Sequence, residues 1–175
     1  MRLFVALAIP DEVAASLWLL QGGVPGARWQ KREQLHLTLR FIGEVEGHEA
    51  VALDDALAMI EASPFDLRLN GVGSFGGKIP RDLWAGAESN EALLHLQKKI
   101  ETVCQRLWLA PDGRKFTPHV TLARLKSSPN AAVGDWLVQH GLYASPAFPV
   151  DSFCLYSSML TSDGSIYRIE KEYPL

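Results

Sequence analysis

One tetrapeptide pattern occurs twice in this chain, as His36-Leu-Thr38-Leu and His119-Val-Thr121-Leu, with the two histidines 83 residues apart. With five histidines and five threonines in 175 residues, two His-x-Thr matches arise by chance at a level on the order of 0.01. The surroundings repeat as well. Each motif histidine is followed 29 residues later by a phenylalanine, Phe65 or Phe148, that opens a strand-like segment. Helix, motif, helix, strand is the order in both halves. A period this long, occurring only twice, excludes a solenoid and predicts two lobes built on one plan with a cleft between them.

The apolar pattern supplies the parts. Leu3 to Ile9 is a short run of strand formers stopped by Pro10, and Asp11 is placed to cap a helix carrying Val13, Leu17 and Leu20 that Gly22-Gly23 would end. Strands are expected at His36 to Gly43, Phe65 to Phe75, Leu83 to Ala87 and Pro118 to Leu125, and helices at Glu49 to Ala62, Asn90 to Leu107 and Asn130 to His140. Two closing strands, Phe148 to Leu160 and Ser165 to Tyr173, would turn at Ser162-Asp163-Gly164. Strands and helices alternate irregularly and nothing reads as a long linker, so residues 1–175 are expected to form a single α+β domain.

Composition narrows the function classes. With 47% apolar and 21% charged residues the chain can build its own core, and a net charge of −3 argues against a general nucleic-acid coat or a polybasic membrane binder. Any nucleic acid must be held locally. Cys104 and Cys154 are the only cysteines, fifty residues apart, which excludes a zinc ribbon or a disulfide scaffold. Ala6-Leu-Ala8 resembles a signal cleavage site but follows too short an apolar stretch, and no run approaches the roughly eighteen residues of a membrane span. A cytoplasmic monomer with no membrane contact is expected.

Strand parity turns the motif into chemistry. Alternate residues face one side, so His36 and Thr38 share a face opposite Leu37 and Leu39, and His119 and Thr121 share one opposite Val120 and Leu122. The leucines anchor to the core and the polar pairs meet at the cleft. One neutral and one protonated imidazole make a general base and a general acid near neutral pH, and hydroxyl donors suit a phosphoryl group gaining charge in the transition state. No Gly-x-Ser-x-Gly elbow is present, so phosphodiester chemistry with water as nucleophile fits better than acyl transfer. A histidine metal site lacks a third donor, since no Asp, Glu or Cys shares the histidine faces, so neither a metal nor another cofactor is expected. For one motif alone, strand-edge hydrogen bonding would explain the histidine as well; the matched pair favours catalysis.

These residues resemble the 2H phosphoesterases, a family named for two His-x-Ser/Thr motifs, and within it the RNA 2′,3′-cyclic phosphodiesterases, also called 2′-5′ RNA ligases. The resemblance runs from Arg2-Leu-Phe-Val-Ala-Leu through His36-Leu-Thr-Leu-Arg-Phe-Ile-Gly-Glu44 and Gly73-Ser-Phe75 to Pro118-His-Val-Thr-Leu-Ala-Arg124. It implies a bilobal, pseudo-twofold α+β duplication of two intertwined lobes, with antiparallel sheets around a central cleft and helices outside. It also implies metal-independent opening of a terminal 2′,3′-cyclic phosphate to a 2′-phosphate, and possible reversal to 2′-5′ ligation. Carried over residue by residue, His36 and His119 are the catalytic pair, while Thr38, Thr121 and Arg124 hold the phosphate; His119 is taken as base and His36 as acid, an assignment that the pseudo-symmetry leaves open.

Three residues stand apart. Strand parity turns Arg124 away from His119 unless a bulge intervenes or the side chain reaches round the strand end. Arg40, where the family often has a small or apolar residue, shares the His36 face by parity, as a phosphate contact or at the watery rim. Phe4 would stack a base by family analogy, though core packing is the better expectation. Basic residues gather at Arg28, Lys31 and Arg32, at Lys78 and Arg81, and at Arg114 and Lys115, a local funnel for an RNA end or a solvated loop surface. Expected partners are RNA ends or nucleotides carrying a 2′,3′-cyclic phosphate. The rivals are a phosphodiesterase for small nucleotides such as ADP-ribose cyclic phosphate or 2′-5′ oligoadenylate, and a nucleotide- or RNA-binding module without turnover.

Overall fold

Leu3 to Leu7 are five consecutive residues, each no more than 2% exposed, and a strand buried on both faces must separate two apolar layers. In the computed structural model, which describes residues 1–175, that strand is β1 (Arg2–Ala8). It is followed by α1 (Asp11–Trp18), β2 (Ala27–Trp29), a 3₁₀ turn (Arg32–Gln34), β3 (His36–Glu44), α2 (Gly47–Ala58), β4 (Phe65–Leu67) and β5 (Leu69–Gly73). The second half runs β6 (Asp82–Ala87), α3 (Glu91–Arg106), β7 (His119–Leu125), α4 (Asn130–His140), β8 (Phe148–Val150), β9 (Ser152–Thr161) and β10 (Gly164–Pro174).

All pairing is antiparallel. One eight-stranded sheet has the order β10-β9-β1-β3-β7-β6-β5, with β2 alongside β7, and β4 and β8 form a small separate pair. The centre is narrow: β3 and β7 share one registered pair, Leu37 with Val120, which are equivalent positions of the duplication. An approximate twofold axis passes there. The halves exchange strands, because β9 from the second half pairs with β1 of the first, and β5 from the first half pairs with β6 of the second. The equivalent segments Phe65–Leu67 and Phe148–Val150 pair with each other. For this reason the two long strands expected from Phe65 and Phe148 are each broken, at Arg68 and at Asp151, where the chain leaves the small sheet for the large one.

The helices cover one face of the large sheet. In α3, Leu93, Leu96, Ile100 and Cys104 recur at helical spacing and are fully buried, and the Asn90 side chain accepts the Leu93 amide at 3.0 Å to cap the first turn. They join Leu3, Val5, Leu7, Leu37, Leu39, Val120 and Leu122 in the main core. Phe4 and Ala6 point the other way and form a small cluster with Cys154 and Tyr156. That second face carries the histidines. Asp11 does not cap α1: it lies inside the first turn after Pro10, where its charge suits the helix dipole, and the helix stops at Trp18, before the glycines. No helix is long and apolar enough to cross a membrane.

Candidate active site

One step either way from the Leu37–Val120 pair, antiparallel register sets His36 beside Thr121 and Thr38 beside His119 on the open face. The leucine and valine side chains enter the core, so the four polar groups are held by rigid strand rather than loop. Both rings are fixed in the same way. His36 Nδ1 lies 2.7 Å from the Gln34 carbonyl and His119 Nδ1 lies 2.6 Å from the Thr117 carbonyl, again equivalent residues of the repeat. A carbonyl only accepts, so each Nδ1 carries the hydrogen and each Nε2 is free to take or give a proton. Neither threonine hydroxyl is engaged by another protein group.

Aromatic rings set the surroundings. His36 packs on Phe4 at 4.8 Å, Tyr167 at 5.0 Å and Tyr156 at 6.0 Å between ring centroids. His119 packs edge-on against Phe75 at 5.0 Å and near Trp84 at 5.8 Å. The six-membered ring of Trp84 packs against Gly73, where a Cβ would fall 2.3 Å from the indole, so only glycine admits the ring. Burial pushes the His36 imidazolium down to about 4, helped by Arg124 and His119 and opposed by the Gln34 hydrogen bond. Burial also lowers His119, as do Arg124 and Arg114, while the Thr117 carbonyl and Asp82 support its charged form.

The family model for the 2′-5′ RNA ligase superfamily matches residues 10–159. The chain belongs to the 2′-5′ RNA ligase superfamily. Among its relatives, the RNA 2′,3′-cyclic phosphodiesterase of Thermus thermophilus is 35% identical over 188 aligned positions, covering all of this chain and 90% of the relative. The protein of that name from Geobacillus stearothermophilus is 33% identical over 128 positions, and there the match covers 69% of this chain and 41% of the relative. The crystal structure of Escherichia coli LigT complexed with 3′-AMP superimposes with a TM-score of 0.82 at 25% identity, covering 99% of this chain and 97% of that one.

Within this superfamily member, two β-bulges decide which arginine enters the site. Pairing between β1 and β3 skips Leu39, from Val5–Arg40 to Ala6–Thr38, and pairing between β6 and β7 skips Leu122, from Leu83–Ala123 to Trp84–Thr121. Leu39 and Leu122 are equivalent, so both motif strands bulge at one position and reverse their parity there. In β7 this turns Ala123 into the core and Arg124 onto the face of His119 and Thr121, which resolves the parity objection to Arg124. In β3 it turns Phe41 onto that face and Arg40 into the core. The expectation that Arg40 lies beside His36 is therefore overturned: Arg40 is 3% exposed, ion-paired with Glu101 and bonded to the carbonyls of Phe41 and Ala110.

Phe4 is a packing residue, 2% exposed and covered by His36, Tyr156 and Tyr167. The sequence reading missed Trp84, Tyr156, Tyr167 and Asp82 as site residues. Asp82 faces Arg124 across the β6–β7 ladder, is 7% exposed, and accepts the Phe75 amide at 2.8 Å, which seats Phe75 against His119. No group of three or more His, Cys, Asp or Glu is arranged to share a cation.

Proposed function

We propose that this chain hydrolyses the 2′,3′-cyclic phosphate at the end of an RNA to a 2′-phosphate, with His36 and His119 as the acid–base pair and no metal in the reaction. The matched presentation of two Nε2 atoms, each ring locked through Nδ1 to a backbone carbonyl, carries this reading. The names of the relatives support it, as does the 3′-AMP held by the E. coli neighbour.

In the proposed step one neutral histidine takes a proton from water as its oxygen bonds to phosphorus, and the P–O3′ bond breaks. The other histidine, protonated, gives its proton to O3′. Thr38 and Thr121 donate to the non-bridging oxygens and Arg124 offsets their growing charge. Run backwards with an RNA 5′-hydroxyl in place of water, the same site would join ends as a 2′-5′ linkage. The test is direct. In EDTA, a short RNA ending in 2′,3′-cyclic phosphate should yield a 2′-phosphate and a free 3′-hydroxyl; RNA left unchanged, or turnover only with added metal, would overturn the proposal.

The pH dependence follows from the two lowered imidazoles. The active form has one proton on the pair, so kcat/KM should trace a bell whose acid limb falls near 4 and whose alkaline limb, set by His119, falls below the ordinary 6.5. Asp82→Asn keeps an oxygen for the Phe75 amide and removes the charge facing His119, so it should move the alkaline limb further down. An alkaline limb above 7, or one unmoved in Asp82→Asn, would contradict this electrostatic picture. The same shifts make the fold less stable as pH drops from 6.5 toward 4, because the unfolded chain takes up these protons first.

A further inference from the structure

Arg124 has a second neighbour on the open face. In the β2–β7 ladder its directly opposed residue is Arg28, and directly opposed residues point to the same side of a sheet. Asp82, Arg124 and Arg28 thus form a row across three strands. Like charges placed directly opposite repel, and neither arginine has a carboxylate within ion-pair distance, while Asp82 is occupied by the Phe75 amide. One carboxylate offsets at most one of the two guanidinium charges, and an anionic ligand would offset the other.

The position of Arg28 identifies which anion. Its guanidinium lies against the turn of the β9–β10 hairpin: a Cβ at Gly164 would sit 3.2 Å from Arg28 Nη2, and Gly164 holds φ at +123°, which favours glycine. That turn is tied beside the catalytic face by Gln34, which donates to the Ser165 carbonyl at 2.8 Å, two residues before His36. Arg28 therefore borders the His36 end of the site. Two other basic residues of the loops are engaged elsewhere: Arg32, in the same cluster, donates to the Asp11 carbonyl, and Arg114, from another cluster, pairs with Asp112. The second half has no strand equivalent to β2, so Arg28 breaks the pseudo-symmetry and gives the groove a direction.

Resting on the proposed cyclic phosphodiesterase reading, we propose that Arg28 is a substrate-selecting residue that binds the phosphodiester next to the terminal nucleotide while Arg124 holds the reacting phosphate. Two long side chains rooted about 5 Å apart can serve two successive phosphates. A mononucleotide has no second phosphate, so Arg28 makes the site prefer an RNA end over a small cyclic nucleotide.

The experiment compares kcat/KM for a short RNA ending in 2′,3′-cyclic phosphate with that for a mononucleoside 2′,3′-cyclic phosphate, across a salt series. Arg28→Gln should lower the ratio of RNA to mononucleotide roughly ten-fold and make the salt slope for RNA shallower by about one. Arg28→Lys should keep the salt slope and recover part of the ratio. Arg32→Gln, a neighbouring cation bonded elsewhere, should leave the ratio unchanged. A ratio unchanged in Arg28→Gln, or lowered equally in Arg32→Gln, overturns the assignment of Arg28. Failure of the unsubstituted protein to hydrolyse either substrate overturns the phosphodiesterase reading itself, and this assignment with it.

Discussion

Alanine at His36 or at His119 should lower kcat/KM for the cyclic phosphate by roughly 10²–10⁴-fold, with the double variant little worse than the more severe single one. The non-additivity follows from the proton inventory. In each turnover one histidine gains a proton from water as the other gives one to O3′, so removing either stops the shared step. A sharper pair of variants is His36→Asn and His119→Asn. The asparagine amide can reproduce the Nδ1–H bond to the Gln34 or Thr117 carbonyl, which keeps the strand end in place, but it offers nothing at Nε2. Both should remain folded by circular dichroism at neutral pH and be as inactive as the alanines. Retention of even a tenth of the activity in one of them would show that its Nε2 takes no part in proton transfer.

The two histidines are alike in how they are held and unlike in what surrounds them. Under the approximate twofold, Asp82 occupies the place of Phe4 and Trp84 that of Ala6, as the β6–β7 and β1–β3 registers show. The result is an apolar box around His36 and a charged flank at His119. Burial pushes His36 down to about 4 while Asp82 supports the charged form of His119, which runs against the expectation of His119 as base. The duplication supplies two proton carriers, and divergence at Phe4/Asp82 separates their affinities.

What was legible in the sequence was what repeats. Equal spacing of His36 to Phe65 and of His119 to Phe148 revealed the duplication, the motif strands and the shared face of each His-x-Thr pair. Three kinds of feature escaped. A bulge at Leu39 or Leu122 changes parity without any turn residue to announce it, so Arg40 was placed on the wrong face and Arg124 could not be placed from parity alone. Aligning the halves would have helped, since Arg40 falls opposite Ala123 and Phe41 opposite Arg124. Strand exchange was invisible too: Tyr156 and Tyr167 reach His36 from the end of the chain because β9 crosses to β1, a contact that local pattern does not encode. The three-residue strand β2 is too short to have a period, and with it the pairing of Arg28 with Arg124 was out of reach.

The costliest single change away from the histidines should be Glu101→Ala. Arg40 is 3% exposed and its guanidinium is divided between the Glu101 carboxylate and the carbonyls of Phe41 and Ala110. Deleting the carboxylate leaves a cation in the main core that cannot deprotonate, and such a loss typically costs about 3–5 kcal/mol, a large part of a small domain's stability. Glu101 is 21% exposed, so entering water moderates the loss toward the lower end of that range. Chemical denaturation should show the drop as a lower midpoint with an unchanged slope. The pair itself need not be stabilising: Arg40→Met with Glu101→Leu should recover most of the loss, because two apolar side chains replace a desolvated ion pair. A loss below about 1 kcal/mol in Glu101→Ala would mean that water reaches Arg40. Activity per folded molecule should survive in the double variant, because the bulge that turns Arg40 inward also turns it away from the phosphate; a selective loss of kcat there would return Arg40 to the site.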